Sequence, residues 1–469
     1  MNSHRSWKNY RPDYRAREMK QLARWVLSGE SGCVVGLPGS GRSNLVGFLC
    51  HRPDVLRSYL PEQARPVGLI PVDLNNLPAT NLVTLYRVIL RAFYRVSDQF
   101  EAPLQEKVAS LYREHQAGRD AFLAQSALQE LLLAFQGQST QVVLVLNRFD
   151  HFCRLATPSI VNTLRGLRDE FKDTLCYLVG MPQEVAYLPD PAMLGNMYEI
   201  LDNYVCWVGA MSQADSRQMI VEETGLAAEG PAEAEVTALL ALCGGYPILL
   251  KTACHWWLTV EQKPALAEWP VVLLAERGIQ HRLAKIWTGL TQEEQFIVSE
   301  LQRKQRQPDG LTTQLGSEGE PQAQVLERLA AKGICRRTGS GWQIGGGLLA
   351  AYVAQVGGQG GGRVWLEEMT GQIYRGQTLL PELTTLERSV LTFLIKQPYT
   401  RHNKTDLIIN TWPDELRREG VSDNSLYQVI FALRQALETS PSQPVYLVNW
   451  RGKPEGGYQF FPEGRPSSG

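Results

Sequence analysis

The sequence has almost no net charge. Its 47 Lys and Arg stand against 48 Asp and Glu over 469 residues, a formal balance of −1. A chain-wide basic field is therefore excluded, and any contact with nucleic acid must come from a local patch. Paired cysteines are missing too. The eight cysteines are scattered without a CxxC pair, mostly inside apolar runs, which predicts reduced, buried thiols. The seven histidines show neither HxxxH nor HxH spacing, so nothing supports a built-in metal site. The opening Met1-Asn2-Ser3-His4-Arg5 has no apolar stretch of the signal-peptide kind. No segment reaches the roughly 18 uninterrupted apolar residues of a membrane span. These two absences predict a cytoplasmic protein with no membrane partner. What is present is ordinary globular composition, 44% hydrophobic and 20% charged, on a chain long enough for several domains.

Residues 1–210 alternate between strand-like and helix-like stretches. Helices are predicted at 15–28, from Arg42 to about Cys50, and at 82–96, where apolar residues recur at i, i+3, i+4 and i+7. Short apolar runs at 32–35, 67–74, 141–146 and 174–179 suit strands buried on both faces. Such alternation argues for a parallel α/β sheet. Residues 211–285 read mainly as helices, broken at Gly244-Gly245-Tyr246-Pro247. Beyond Leu290, helices are expected at 292–301 and 322–332, with a short strand at 341–344. Five glycines within 357–362 mark a linker. The final residues 465–469 are expected to fray. Trp207, Trp256 and Trp257 read as core.

Gly36-Leu37-Pro38-Gly39-Ser40-Gly41-Arg42-Ser43 follows a strand and opens a helix. It matches GxxxxGK[ST] except that Arg42 replaces lysine. The glycines let the backbone wrap phosphate oxygens with its amides, and the helix N-terminus adds partial positive charge. Ser43 would offer its hydroxyl to Mg²⁺. The other reading is a glycine-rich strand-to-helix turn with no ligand. The strand Gln141–Leu146 should end in acidic groups for Mg²⁺ and for positioning water. Asn147 and Arg148 stand there instead. A neutral amide is a poor Mg²⁺ ligand and a guanidinium cannot accept a proton. Losing a positioned base typically slows a reaction by about 10²–10⁴-fold. Asp150 is the one weak candidate for a catalytic carboxylate. A nucleotide sensor or an inert fold is favoured over a fast hydrolase.

With Gly245-Tyr246-Pro247 in place, the ordered set resembles STAND ATPases and the related AAA+ origin-recognition ATPases, with degenerate Walker motifs. Arg17-Glu18 matches that family's N-terminal Arg-Glu pair. The resemblance covers about residues 10–356. It implies that the Gly-x-Pro segment, Tyr246 and Pro247 included, approaches a bound ATP or ADP with Mg²⁺, and that a winged helix follows the lid. The nucleotide site would comprise Gly36, Gly39, Ser40, Gly41, Arg42, Ser43, Asn147, Tyr246 and Pro247.

Residues 363–464 resemble a response-regulator winged-helix domain of OmpR/PhoB type. Leu383-Thr384-Thr385-Leu386-Glu387 matches its helix start and is also a capping signal. Residues 429–437 match its recognition helix, and Arg451-Gly452 with Gly457-Tyr458-Gln459-Phe460 its wing. Leu426, Val429, Ile430, Leu433 and Leu437 form the core face of that helix. Asn424, Gln428, Phe431, Ala432 and Gln435 form the opposite face, bordered by Tyr427 and Arg434. Asn424, Gln428 and Gln435 suit adenine, and Phe431 a thymine methyl; Arg434 is counted with them. Arg401, Lys404, Arg451 and Lys453 could hold phosphates. Residues 363–469 hold twelve Lys and Arg against twelve Asp and Glu, too neutral for strong non-specific DNA affinity. A winged helix reused for protein contacts through Phe431 and Tyr427 is the alternative.

The expected fold class is multidomain, α/β plus α+β. It runs as a P-loop NTPase core (1–210), a helical lid (211–285), a winged helix (286–356), the linker (357–362), a C-terminal winged helix (363–464) and a tail (465–469). The expected role is a nucleotide-binding switch acting as a DNA-binding regulator, in transcription or defence, with weak or no hydrolysis. Expected partners are nucleotide, double-stranded DNA and other proteins, with a homo-oligomer possible in principle. A non-catalytic scaffold and an active ATPase motor or loader are the alternatives.

Overall fold

The computed structural model describes residues 7–74, 77, 79–188, 190–225, 230–306, 320–339, 341–356, 363–367, 370–375, 378–413, 421–438, 441–452 and 456–465. The linker at 357–362, Lys453 and tail residues 466–469 lie outside them. By its own contacts the chain divides into two compact units. One is Met1–Lys263 with Ala331–Ile334; the other is Pro264–Ala330 with Cys335–Gly469.

The first unit opens with α1 (Ala16–Ser28), β1 (Gly32–Val35), α2 (Arg42–His51), α3 (Pro53–Ser58) and β2 (Val67–Asp73). Three helices follow: α4 (Leu82–Arg95), α5 (Ala102–His115) and α6 (Ala121–Gly137). Then come β3 (Gln141–Asn147), α7 (Phe149–Leu155), α8 (Pro158–Glu170), β4 (Leu175–Met181), α9 (Tyr198–Leu201) and β5 (Val205–Trp207). The strands pair in the order β2-β3-β4-β1-β5, all parallel. Every residue of β1 and β4 is buried, as is β3 through Leu146. This is the pattern of a parallel sheet with helices on both faces, and it is why the strands read as unbroken apolar runs. Strand β5 was not anticipated: its three residues are too few for a periodicity signal, and two are only half-buried.

Register sets the site. Val35 lies beside Met181 of β4 and Trp207 of β5, so the turn after β1 emerges where the sheet's connections diverge. Such a crevice at the carboxyl ends of strands is where α/β sheets bind ligands. Asn147 ends its strand beside Asp73.

Helices α10 (Gln213–Thr224), α11 (Glu233–Cys243) and α12 (Pro247–Thr259) complete the unit. The Ser212 side chain caps α10 by accepting from Asp215 N, Gly244 ends α11 in the left-handed conformation, and Pro247 opens α12 at its first turn. Trp256 and Trp257 are buried, whereas Trp207 is half-buried and donates to Glu184 at 2.6 Å.

The second unit begins with α13 (Trp269–Ala275) and α14 (Arg277–Thr288), so the segment 211–285, expected as one lid, is shared between the units. It continues as α15 (Gln292–Arg306), α16 (Glu320–Ala331), the antiparallel β6 (Cys335–Thr338) and β7 (Gly341–Ile344), and α17 (Gly347–Val356). Thr291 and Glu294 form a capping box, at 2.9 and 3.3 Å. The fully buried Glu294 also meets Arg328 at 2.7 Å, tying α15 to α16. The C-terminal winged helix has β8 (Val364–Leu366), β9 (Ile373–Arg375) and β10 (Thr378–Leu379) as one antiparallel sheet. After them come α18 (Thr385–Lys396), β11 (Arg401–Asn403), α19 (Lys404–Thr411), α20 (Asp423–Leu437), β12 (Leu447–Trp450) and β13 (Gly457–Phe460). Strands β11, β13 and β12 pair antiparallel, in that order. Leu426, Val429, Ile430, Leu433 and Leu437 of α20 are all buried in its core.

The expected fold class is the one observed. All eight cysteines are buried and unpaired, and burial pushes Cys50, Cys176, Cys206, Cys254 and Cys335 up to about 12, leaving them protonated at neutral pH. No described helix is long and apolar enough to cross a membrane. Thr384 accepts from Glu387 N at 3.3 Å while Glu387 accepts from Thr384 N at 2.9 Å. Thr384→Ala removes half of this box and is expected to destabilise the C-terminal winged helix by about 1 kcal/mol in urea unfolding.

Candidate functional site

The phosphate loop runs from Gly36 to the start of α2. Gly39 and Gly41 take positive φ, +81° and +91°. Gly39 has a second reason to lack a side chain: a Cβ there would lie 2.3 Å from Ile248 Cγ2. The start of α12 is seated on the loop. Ile248 N donates to Gly39 O at 3.2 Å, Tyr246 Oη reaches Pro38 O at 3.5 Å, and Pro247 borders Gly41. Gly245 lets the chain reach this position. It also takes positive φ, and its carbonyl accepts from Met211 N at 2.8 Å.

Beside the loop opens a cavity of about 380 Å³, lined by Gly36, Leu37, Pro38, Gly39, Gly41, Arg42, Ser43 and Asn44. Helices α10 and α12 add Asp215, Gln218, Met219, Pro247, Ile248 and Lys251, and Tyr10 and Tyr14 close another side. The size lies in the range of small-molecule and cofactor sites. Two polar atoms of the loop are buried with no hydrogen-bond partner, Ser40 Oγ and Arg42 Nη1. Such atoms normally find partners; of the two residues, Arg42 lines the cavity and Ser40 does not. Burial lowers the pKa of the Arg42 guanidinium; Asp150 opposes this shift and Arg148 adds to it.

Sequence reasoning missed the residue that organises this site. Arg15 precedes α1 in a left-handed conformation and is 2% exposed. Its guanidinium donates to Ser40 O at 2.7 Å, Gly209 O at 2.9 Å and Ala210 O at 3.2 Å, and meets Glu18 at 3.4 Å. Its backbone N–H reaches Asp215 of α10 at 3.3 Å. Of the sequence motif Arg17-Glu18, Arg17 is exposed and Glu18 meets Arg15, three residues before it. Tyr10 and Tyr14 were also missed. Asn44 of α2 donates to both hydroxyls, at 3.2 and 2.9 Å, and their rings meet edge to face. The one hint was aromatic spacing, with Trp7, Tyr10 and Tyr14 three and four residues apart before the first helix.

At the end of β3, Asn147 Oδ1 accepts from Arg148 N at 3.0 Å. Asp150 is buried and held by Arg154 at 2.8 Å. Asn147, a neutral amide, offers no charge to a metal.

In the second unit, Asn424, Gln428, Phe431 and Gln435 all lie exposed along one stripe of α20, and Tyr427 borders it. Arg434 does not belong to this face. It turns toward β12, donating to Leu447 O at 3.0 and 2.7 Å and to Asn449 Oδ1 at 2.8 Å, with its guanidinium 5.9 Å from the Tyr458 ring. Lys404 is paired with Asp423 at 2.6 Å and stands over Tyr427. The Asp423 carboxylate first, then Tyr427, holds its ammonium well above the ordinary lysine range. Arg401 and Arg451 are exposed.

Residues 377–460 match the family model described as transcriptional regulatory protein, C terminal. No curated protein matches the chain. Among solved structures, the chain is similar to the Walker-type ATPase PABY2304 of Pyrococcus abyssi, at 13% identity and TM-score 0.40, covering 72% of this chain and 95% of that one. It is similar to the Aeropyrum pernix ORC2 protein in ADPNP–ADP complexes, at 15% identity and TM-score 0.39, covering 75% and 97%. A third is Cdc6p from Pyrobaculum aerophilum, at 13% identity and TM-score 0.34, covering 74% and 95%. The strand order and the glycine-rich loop between β1 and α2, independently of these likenesses, define a five-stranded parallel α/β core. The chain joins that core to a winged helix of transcriptional-regulator type.

Arg15→Met leaves three carbonyls, two buried and one part-buried, without their donor. It is expected to lower the unfolding free energy by at least about 3 kcal/mol, read by urea denaturation. Arg15→Lys should recover only part, because one ammonium cannot span the positions the guanidinium reaches.

Proposed function

We propose that the chain is a nucleotide-responsive, DNA-binding regulator of STAND type. The observation that carries this reading is the closed phosphate loop with its two unsatisfied buried atoms, Ser40 Oγ and Arg42 Nη1, beneath Tyr246-Pro247-Ile248. ATP or ADP would place phosphate oxygens against the amides of Gly39–Ser43 and the Arg42 fork. Ser43 would ligate the accompanying Mg²⁺, which would shield phosphate charge. Tyr10, Tyr14 and Met219 supply apolar surface for a base.

A switch needs differential affinity between two arrangements, not turnover. The cavity is lined by the loop and by helices α10 and α12, so an occupant touches elements that otherwise meet through Pro38, Gly39, Gly41 and Arg15. Arg15 also holds Gly209 and Ala210, and against these sits the turn Ala331–Gly333. A Cβ on Gly209 would be 2.3 Å from Ala331 O, and one on Gly333 2.1 Å from Ala210 N. That turn joins α16 to β6, so the chain itself carries a shift at the loop toward the first winged helix. Within the second unit, Arg363 donates to Gln295 of α15 at 2.8 Å and pairs with Glu463 at 3.4 Å. Release of the C-terminal winged helix would have to break the first of these contacts. A role in stress signalling or defence follows by analogy with STAND ATPases.

For DNA, the exposed Asn424, Gln428, Phe431 and Gln435 would read bases while Arg401 and Arg451 hold phosphates. With Arg434 and Lys404 engaged inside the domain, few cations remain, and a shallow salt dependence follows. A second reading draws on the same face: Phe431 is 62% and Tyr427 45% exposed, which also suits anchors for a protein partner.

ATP and ADP should bind the wild type, with turnover below that of an ordinary P-loop ATPase. Asn147→Asp with Arg148→Glu should raise turnover at least about tenfold by restoring a metal ligand and an acceptor. No nucleotide binding with or without Mg²⁺ overturns the switch. Gln428→Ala and Phe431→Ala should each weaken duplex binding several-fold. Unchanged DNA binding in both variants favours the protein-docking reading.

A further inference from the structure

A second cavity, this one with a basic lining, lies in the first unit, on the helices inserted between β2 and β3. It measures about 170 Å³ and is lined by Thr84, Arg87, Val88, Leu90 and Arg91 of α4, by Tyr112 and His115 of α5, and by Gln116. No carboxylate lines it. Arg87 and Arg91 are one turn apart, on the same face of α4, an arrangement that disfavours the helix unless a counter-charge is supplied. The chain has 48 carboxylates, yet among the described residues none pairs with Arg87 or Arg91.

The polar groups of the cavity are under-used. Arg87 Nη2 donates to Gln116 O, while Arg87 Nε is buried with no hydrogen-bond partner. Arg91 has no hydrogen-bond or ion-pair partner among the described residues. His115 meets only Glu114, at 3.9 Å. One wall is fixed: the Tyr112 ring stacks on Tyr94 with centroids 4.5 Å apart and planes 18° apart. Two guanidinium forks, an imidazole, a threonine hydroxyl and a tyrosine hydroxyl around one concavity form a donor set for a tetrahedral oxyanion.

We propose that this α4–α5 cavity is a second anion site, separate from the phosphate loop, that takes the phosphate group of a small phosphorylated molecule. Arg87 and Arg91 clamp the oxygens, and Val88 and Leu90 furnish the apolar floor. Concavity favours a small ligand over a nucleic-acid backbone, which would need an extended basic track.

The test uses the full-length chain carrying Arg42→Ala, so that the phosphate loop contributes little, and titrates it with orthophosphate, pyrophosphate and duplex DNA by calorimetry. Pyrophosphate should bind at one site. Adding Arg91→Ala should weaken it at least tenfold, with Arg91→Lys recovering part and the thermal midpoint without ligand not lowered. Should Arg91→Ala misfold, Thr84→Val with Arg91→Gln replaces it, with the same loss expected. Tighter binding of pyrophosphate than orthophosphate points to a polyphosphate-bearing source, and equal binding to a single phosphate group; both support the site. Absence of pyrophosphate binding in Arg42→Ala, or affinity unchanged by the Arg91 substitutions, overturns it. So does an Arg91-dependent affinity seen for duplex DNA alone. Nucleotide binding by the wild type is read separately, so failure here leaves the switch reading standing.

Discussion

The Arg15 guanidinium sits where three parts of the first unit converge. Ser40 belongs to the phosphate loop, Gly209 and Ala210 to the segment leaving β5, and Asp215, which takes the backbone N–H, to helix α10. A charge that is 2% exposed is costly to bury unless its donors are used, and here three carbonyls and one carboxylate take the Nη hydrogens, while Nε has no hydrogen-bond partner. The arrangement makes loop, sheet edge and lid parts of one hydrogen-bonded cluster.

This cluster explains why the glycines of the loop are where they are. Gly39 answers two demands at once, a left-handed backbone and the close approach of Ile248. The phosphate-loop pattern carries the first demand in its spacing, whereas the second depends on a residue more than two hundred positions away. The same division runs through the rest of the site. Buried strands such as β3 and β4 were readable because parallel sheets leave continuous apolar runs. The loop was readable because phosphate binding dictates local backbone geometry. Arg15 was not, because its role comes from partners at 40, 209, 210 and 215, and beside Arg17 it looks like one more surface arginine. Strand β5 was too short to stand out.

The C-terminal domain shows the limit of reading a helix face by periodicity. The stripe Asn424, Gln428, Phe431 and Gln435 came out exposed because spacing fixes which side of a helix meets the core. Arg434, on the border, was misread: a long side chain at a helix edge can reach either way, and the carbonyl of Leu447 captured it. Lys404 likewise found Asp423, on the next helix. What remains on the surface is a neutral, amide-rich and aromatic face. It suits reading of base edges better than attraction to backbone charge.

The central claim is that phosphate loop and lid respond to nucleotide as one body, joined through Arg15. Amide hydrogen exchange across residues 36–51 and 209–259, with and without ATP and Mg²⁺, tests it directly. The account requires protection to rise together in the loop, at Gly209–Ala210 and at the start of α12. Protection confined to the loop, or unchanged everywhere, would contradict it.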